Sequence, residues 1–584
     1  MKYQVKKDLG VTFQRGGATF RVWAPFAKSV RLVTATYDND GTSLESEGDG
    51  YWSLFIKDIE AGFSYQYLIE TANGMLRRND PRARVLTAAE GGMSVVAAHD
   101  FDWGDDLFMP VPKEQQVYYE MHIGTFNRPD ASTQGTFADA MEKLDYLADL
   151  GITMIELMPV TTMAADHGWG YSTSHIFSVE PTYGGRHGLM EFVRAVHERG
   201  IGVIADVVYN HFSSTDLWQF DGWSENGRGG IYFYNDERGD TPWGARPDYG
   251  RPEVRQFFLD NVAMWIGEYR LDGLRLDSTI YMRNSEGKNN DPAHDIGDAW
   301  RLLGEMTRLA HRINPGSVMI AEDCSVNPYL TKSLKDGGCG FDAQWGLNFP
   351  HSMRALSGLS VPFPVDFTSE LVSNYNGDCF QKVIFTDSHD TAANGQVRLN
   401  EAVTPGNGES SEARQHTLVT SAATLTAPGI PMLVQGEEFM QDGDFSDWKE
   451  LEWPKTEQFN GIVLAHQHLI DLRLNVYSNT AGLVGRGVNL FHVNNNDKVF
   501  AYHRWNKGGR GDDTYIILNF GGANFEQYKL WVPVPGAWTV RFNSSWSGYK
   551  SDSSESFVLV VETDETQSIT VPLAAHNALI LSQD

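Results

Sequence analysis

The rhythm of apolar and polar positions changes twice along the chain. Up to about residue 108, apolar residues alternate with polar ones in short runs at 19–25, 30–33, 50–55 and 63–68, with Gly, Asn and Asp clusters between them. Alternation bounded by turn residues predicts a small β-sandwich. From Val117 onward the grammar is different. Near-continuous apolar runs at 117–123, 152–160, 201–209, 271–277, 318–322, 341–345, 382–387 and 432–435 predict strands buried on both faces. Helical spacing falls between them: 136–150 groups Phe137, Met141, Leu144 and Leu147, and 189–199 groups Leu189, Phe192, Val193 and Val196. The stretch 252–269 opens on a proline, which the first turn of a helix tolerates. Further helices are expected around Trp300, Leu303 and Leu309, and over 462–474. Eight strands with intervening helices predict an α/β fold, a (β/α)8 TIM barrel, rather than an open sheet. No Gly-rich phosphate loop follows the first strand, which disfavours a dinucleotide fold.

Beyond the last helix, β patterning returns at 499–503 and 514–518 and predicts a C-terminal β-sandwich. The expected domains are therefore an N-terminal β-sandwich over 1–108, a barrel over 109–475 and a second sandwich over 476–584. Residues 101–112, rich in prolines and acids, read as a linker. Residues 212–251, rich in Gly, Asp, Trp and Tyr, form a long excursion after the third barrel strand, where a loop of that length is usually functional.

Composition narrows the partners. The formal charge of −29 argues against nucleic acid, which is bound by basic contacts to phosphate, and against anionic lipid surfaces. A neutral polysaccharide is not repelled, and 16 Trp with 23 Tyr supply rings on which sugars stack. Trp23, Tyr51 and Trp52 carry two readings, carbohydrate platform or sandwich core. Cys324, Cys339 and Cys379 show neither a disulfide framework nor zinc spacing. With no apolar leader in 1–13 and no run long enough to span a bilayer, the expectation is a cytoplasmic protein without membrane contact.

The chemistry gathers where strands end. Asp206 closes the third strand run, Asp277 the fourth and Glu322 the fifth, while Asp390 follows the seventh. Barrel enzymes place catalytic groups at these strand ends. Asp277, with Arg275 two residues earlier on the same face, suits a carboxylate nucleophile held ionised by a guanidinium. Retaining glycoside chemistry requires two carboxyl groups about 5–5.5 Å apart. Adjacent strands stand roughly 4.8 Å apart, so Asp277 and Glu322 can satisfy it. Crowding by Asp277 and Asp390 would keep Glu322 protonated near neutral pH. His211 and His389 are donors suited to sugar hydroxyls, and Tyr171 can stack under a ring. A metal centre at Asp206, Asn210 and His211 lacks a set of further ligands.

These strand ends resemble the four sequence regions of the α-amylase (glycoside hydrolase 13) family: Asp206-Val-Val-Tyr-Asn-His211, Gly273-Leu-Arg-Leu-Asp277, Glu322, and His389-Asp390. Trp169-Gly170-Tyr171 and Glu156-Leu-Met-Pro159 extend the likeness, and Phe20-Arg-Val-Trp-Ala-Pro25 resembles the glycan-binding-like sandwich of branching and debranching members. The resemblance implies Asp277 as nucleophile, Glu322 as acid/base and Asp390 as transition-state stabiliser. It implies Tyr171, Asp206, His211, Arg275 and His389 as contacts to the sugar at the cleaved bond. It implies an α-glucan substrate. Typical amylases bind calcium through the Asn210 position, but domain-B ligands are not evident here, so no cofactor and no required metal are expected. Within the family, 170–174, Ser388-His389-Asp390 and 435–439 look most like α-1,4-glucan branching enzymes, although Thr391 stands where they carry an acid. Maltooligosyl trehalose trehalohydrolases are the next likeness, with Ser172 in place of their usual acid. Transfer and hydrolysis differ only in the acceptor, so a hydrolase remains the alternative. A glycan-binding pseudoenzyme is the reading from another class.

Overall fold

The computed structural model describes residues 8–34, 41–88, 91–98, 101–130, 132–165, 167–362, 365–549 and 559–584. Residues 1–7, part of the stretch read for a leader, lie outside the described residues.

The N-terminal strands form two facing antiparallel sheets. One orders Gly10–Gln14, Gly17–Trp23, Tyr51–Lys57 and Glu45–Gly48, and the other is built around Ser29–Thr34 and Ser64–Thr71. Phe20, Val22, Val30, Leu32, Tyr65 and Tyr67 fill the space between them, as alternating inward residues of a sandwich do. Trp23 and Tyr51 are buried in that core and offer no platform, while half-buried Trp52 donates from Nε1 to the Ala24 carbonyl at 3.0 Å. The sandwich is tied to the rest of the chain by Arg82–Asp260 at 2.8 Å and Arg84–Glu268 at 3.0 Å. It also grips the 212–251 excursion: the Phe26 backbone N–H donates to Asp221, and Phe26 stacks on Trp223 at 4.6 Å.

The centre is a closed barrel of eight parallel strands: β1 Tyr118–Met121, β2 Met154–Leu157, β3 Gly202–Val207, β4 Gly273–Leu276, β5 Val318–Ala321, β6 Ala343–Trp345, β7 Lys382–Phe385 and β8 Ile430–Val434. Strand β1 pairs with both β2 and β8, which closes the ring. Period-two alternation sorts the side chains. Tyr118, Met154, Ile204, Ile320, Trp345, Val383 and Met432 pack together inside the barrel. Tyr119, Ile155, Val203, Leu274 and Met319 belong to the outer core beneath the helices. Two residues beyond the inward set, along the same face, come Glu120, Glu156, Asp206 and Glu322. The interior therefore changes from apolar to charged toward the C-terminal mouth.

Two connections depart from the simple strand–helix succession. The helix Pro252–Ala263 widens into a π-helical turn at Met264–Glu268 before β4. Between β2 and the helix Gly185–His197, a hairpin of Thr161–Met163 with Thr173–Val179 rises over the mouth and carries Trp169 and Tyr171 at its turn. The segment read as a linker is docked: Asp106 accepts from His197 at 3.0 Å, and Phe108 stacks on that ring at 4.4 Å.

The C-terminal strands make a six-stranded antiparallel sheet, ordered Gly487–Asn494, Val499–Trp505, Thr514–Asn519, Asn577–Ser582, Ala537–Asn543 and Leu559–Glu562. A two-stranded ribbon of Phe525–Trp531 and Ser568–Leu573 packs against it over a core including Ile517, Trp538 and Leu581. The three cysteines are free. No helix among the described residues is long and apolar enough to cross a membrane.

Candidate active site

Register decides which groups meet at the barrel mouth. Asp206 of β3 lies directly beside Arg275 of β4. Leu276 pairs with Ala321, so the next residues on these neighbouring strands are Asp277 and Glu322. Arg275 is fully buried and donates from Nη1 to Asp206 Oδ2 at 2.6 Å and to Asp277 Oδ1 at 2.9 Å. Its Nη2 stands 3.9 Å from Glu322 Oε2, and its guanidinium lies 4.2 Å above the Trp345 ring. Burial works against the charge, but the surrounding carboxylates hold Arg275 protonated. Asp277 is fixed through both oxygens, since Asn210 Nδ2 donates to Oδ2 at 2.6 Å and to the Asp277 carbonyl at 2.8 Å.

Glu322 has the opposite environment. Its carboxyl is buried and pushed up to about 7, by burial first and by Asp277 and Asp390 besides, with Arg275 pulling the other way. The Ser278 backbone N–H donates to Oε2 at 2.7 Å, and the Cys324 thiol to Oε1 at 3.3 Å. Ser278 holds the left-handed conformation (φ 40°, ψ 55°), which a non-glycine residue adopts at a cost. That strained turn aims the N–H at the acid immediately after Asp277. Two carboxyl groups from adjacent strands thus have different surroundings: Asp277 is held by a guanidinium and an amide, while Glu322 sits in a drier pocket. Asp206, buried below them, is raised to about 6 by burial, with Arg275 opposing and Asp277 adding to the shift.

The remaining groups come from loops. Past β7, Asp387 accepts from Arg354 at 2.6 Å, and Ser388 N–H donates to Thr391 Oγ1 at 2.8 Å, so Thr391 closes the turn that presents His389 and Asp390. His389 is clamped by Glu120, whose carboxylate accepts from its backbone N–H at 2.7 Å and pairs with Nδ1 at 2.6 Å. Burial opposes a charged ring, yet Asp390 and Glu120 outweigh it and raise His389 to about 9. Tyr171 joins the two sides: its hydroxyl donates to Asp206 at 2.6 Å and lies 3.0 Å from His389 Nε2, and its ring stacks on His389. Asp390, half exposed, stands 3.5 Å from His389 Nε2. His211 bonds the Tyr171 carbonyl through Nε2 at 3.1 Å and packs near Trp243, and burial lowers its basicity.

Tyr171, His211, Asp277, Glu322, His389 and Asp390 line one cleft of about 410 Å³. Arg275 and Asp206 lie beneath it. Trp169, Trp243 and Cys324 also line the cleft, and Glu120 and Glu156 support it from below; sequence reasoning assigned none of these to the site. A signal for Glu120 and Glu156 was present, since each is an acid at an inward position inside an apolar strand. Trp243 lies deep in the 212–251 excursion, and no local pattern tied it to the mouth. Among the described residues no group of three or more His, Cys, Asp or Glu is placed to hold a metal ion.

Comparison with known proteins agrees with this architecture. The α-amylase catalytic domain matches residues 120–243, carbohydrate-binding module 48 (isoamylase N-terminal domain) matches 8–86, and the α-amylase C-terminal all-β domain matches 491–584. The chain is 29% identical to malto-oligosyltrehalose trehalohydrolase of Saccharolobus solfataricus, over 77% of this chain and 78% of that protein. It is 27% identical to a 1,4-alpha-glucan branching enzyme of Corynebacterium jeikeium, over 92% of this chain and 77% of that one. The corresponding enzyme of Mycobacterium tuberculosis is 29% identical, over 94% and 77%. Among solved structures, a pullulanase from Anoxybacillus sp. superposes with a TM-score of 0.77 at 20% identity, covering 100% of this chain and 88% of its own. A Bacillus subtilis pullulanase does so with 0.77 at 18%, covering 99% and 86%. At these identities the superpositions speak for the fold alone.

Proposed function

Because this chain belongs to the α-amylase family, we propose that it is a retaining α-glucan enzyme that cleaves α-1,4 linkages and transfers the released chain to a 6-hydroxyl, forming an α-1,6 branch. The observation that carries the reading is the arrangement around Arg275. One buried guanidinium donates to Asp277 and orients it, while Glu322 beside it takes up a proton near neutral pH. Neighbouring strands stand roughly 4.8 Å apart, close to the carboxyl separation of about 5–5.5 Å that a retaining pair uses.

In the first step an Asp277 oxygen attacks the anomeric carbon. The glycosidic C–O bond breaks, and the leaving oxygen takes the Glu322 proton. In the second step Glu322, now a carboxylate, takes the proton of the acceptor hydroxyl. The acceptor oxygen bonds the anomeric carbon and releases Asp277. Asp390 stands where positive charge develops on the sugar ring. His389, held charged by Glu120, and Tyr171 contact the sugar hydroxyls and the ring face, while His211 supplies a neutral donor. Asp206 and Arg275 hold the charge balance below. No cofactor or metal enters either step.

A second reading, hydrolysis with water as acceptor, is favoured by the likeness to the trehalohydrolase, as strong as that to the branching enzymes. Incubation with amylose separates the two. Branching lowers iodine absorbance with few new reducing ends. Hydrolysis raises reducing ends in proportion, and release of trehalose from a trehalose-capped oligosaccharide would identify the trehalohydrolase activity. A chain inert toward every α-glucan refutes both readings.

A further inference from the structure

A cavity larger than the catalytic cleft opens between the loop after β4 and the loop after β5, with a volume of about 570 Å³. Its wall includes Arg283, Asn289, Asp291, Trp300, Asn327 and Tyr329. We propose that this cavity is a second saccharide site, which holds a segment of neutral α-glucan chain outside the catalytic cleft. The proposal rests on the α-glucan reading above.

Charge disfavours the other ligand classes. Arg283 is the one cation in the wall, and it is committed: Nε and Nη2 donate to Asp323 at 2.9 and 3.0 Å, and Nη2 also to Ser325 at 2.8 Å and Asn289 at 3.2 Å. Asp291 and Asp295 in the same wall, with Asp323 bound to Arg283, outnumber Arg283 and the Lys332 ammonium over Tyr329, so a phosphate or a carboxylate is disfavoured. The described residues offer no cluster able to hold a metal ion. What is left suits a neutral polyhydroxylated ligand.

The polar groups are prepositioned. Asn289 Oδ1 accepts from both Arg283 and Asn327, while its Nδ2 makes no bond among the described residues. Asn327 is fixed in turn, accepting from the Tyr329 backbone N–H at 3.0 Å. Amides ordered before binding lose little freedom when they take up hydroxyls. Aromatic faces complete the site. Tyr329 is 55% exposed, with Lys332 lying 5.2 Å over its ring. Trp300 is half-buried, with the Arg283 guanidinium 5.2 Å above it. Exposed or half-exposed rings beside ordered amides form the surface on which apolar sugar faces stack and rim hydroxyls bond. Asp323 links the cavity to the acid, because it binds Arg283 and follows Glu322 in the chain. A polymer held here is anchored near the reaction without entering it.

The test uses the whole chain and two substrates. In an Asp277→Asn background, which prevents turnover, Tyr329→Ala is compared with Tyr329 for retention by amylopectin in affinity gel electrophoresis. The expected result is roughly five- to tenfold weaker retention. In the active chain, the same change raises KM for amylopectin by a similar factor and leaves kcat/KM on maltohexaose unchanged. Asn289→Ala is expected to act in the same direction. Unchanged retention, with the parent chain active on α-glucan, overturns the second site alone. Equal loss on maltohexaose also overturns it, since the cavity would then be part of the catalytic cleft. A parent chain inert toward all α-glucans removes both this site and the proposed function.

Discussion

Replacing Cys324 with serine tests the protonation of Glu322 without touching either catalytic carboxyl. Oε2 of that residue is occupied by the Ser278 N–H at 2.7 Å, so the transferable proton belongs on Oε1, where Cys324 is the partner at 3.3 Å. A thiol is a weak donor. A hydroxyl in its place makes a charge-assisted bond, and hydrogen bonds to charged groups contribute about 1.5–3 kcal/mol. Allowing for the shorter C–O bond, a gain of about 1 kcal/mol for the carboxylate form lowers the Glu322 pKa by roughly 0.7 unit. The acid must be protonated to release the leaving group, so its pKa sets the alkaline limb of kcat/KM. That limb is expected near 7 in the parent chain and near pH 6.3 in Cys324→Ser. At pH 8 the serine variant is then roughly fivefold slower relative to the parent, and at pH 5 the two are equal. Cys324→Ala removes the donor and moves the limb the other way. The assay is kcat/KM on a maltooligosaccharide from pH 4 to 9. An alkaline limb that stays in place in both variants, or moves upward in the serine variant, refutes the assignment of the proton to Glu322.

Four further outcomes are expected. Asp277→Asn abolishes turnover of every α-glucan, by at least about 10³-fold, while retaining the fold by circular dichroism. Glu120→Gln removes the charge that holds His389 and costs roughly 10- to 100-fold in kcat/KM, the loss of one charge-assisted bond, with Tm changed by only a few degrees. Glu438 is fully buried and accepts from Tyr119 and Tyr146 at 3.1 Å each; burial raises it from 4.5 to about 7. A raised folded pKa contributes stability that is present below about pH 4.5 and lost as pH rises through about 7, by up to roughly 3 kcal/mol. Glu438→Gln lacks this loss, so its Tm relative to the parent should be higher at pH 8 than at pH 5, and an unchanged difference in calorimetry would count against the buried charge. Dialysis against EDTA should leave activity on amylose within about twofold of the untreated protein, in keeping with a mechanism routed through side chains alone.

Much of the site was legible in one dimension. Asp206, Arg275, Asp277 and Glu322 all stand at the ends of apolar runs, and a parallel strand buried on both faces must place such residues at the mouth of the barrel. Their alternation with Val207, Leu274 and Leu276 also settled which face they share. The two clamps on the acid were less visible. Ser278 contributes a backbone N–H only because its turn is left-handed, and serine does not by itself announce that conformation. Cys324 reads in sequence as a stray thiol, although it is two residues past the acid it touches.

Strand periodicity, helix spacing and the order of the acids along the chain are local properties, and they alone determined the barrel between two β domains and the side of it that carries charge. The pairing of Glu120 with His389, 269 residues apart, was decided only when β1 met β8 and closed the ring. Trp243 reaches the cleft because Ala245 pairs back on Phe212 and the Trp243 ring packs on His211 and Tyr281, contacts that no local pattern contains. Contacts of this kind depend on the angle at which distant elements dock, and that angle follows from packing the whole molecule, which no window of sequence contains.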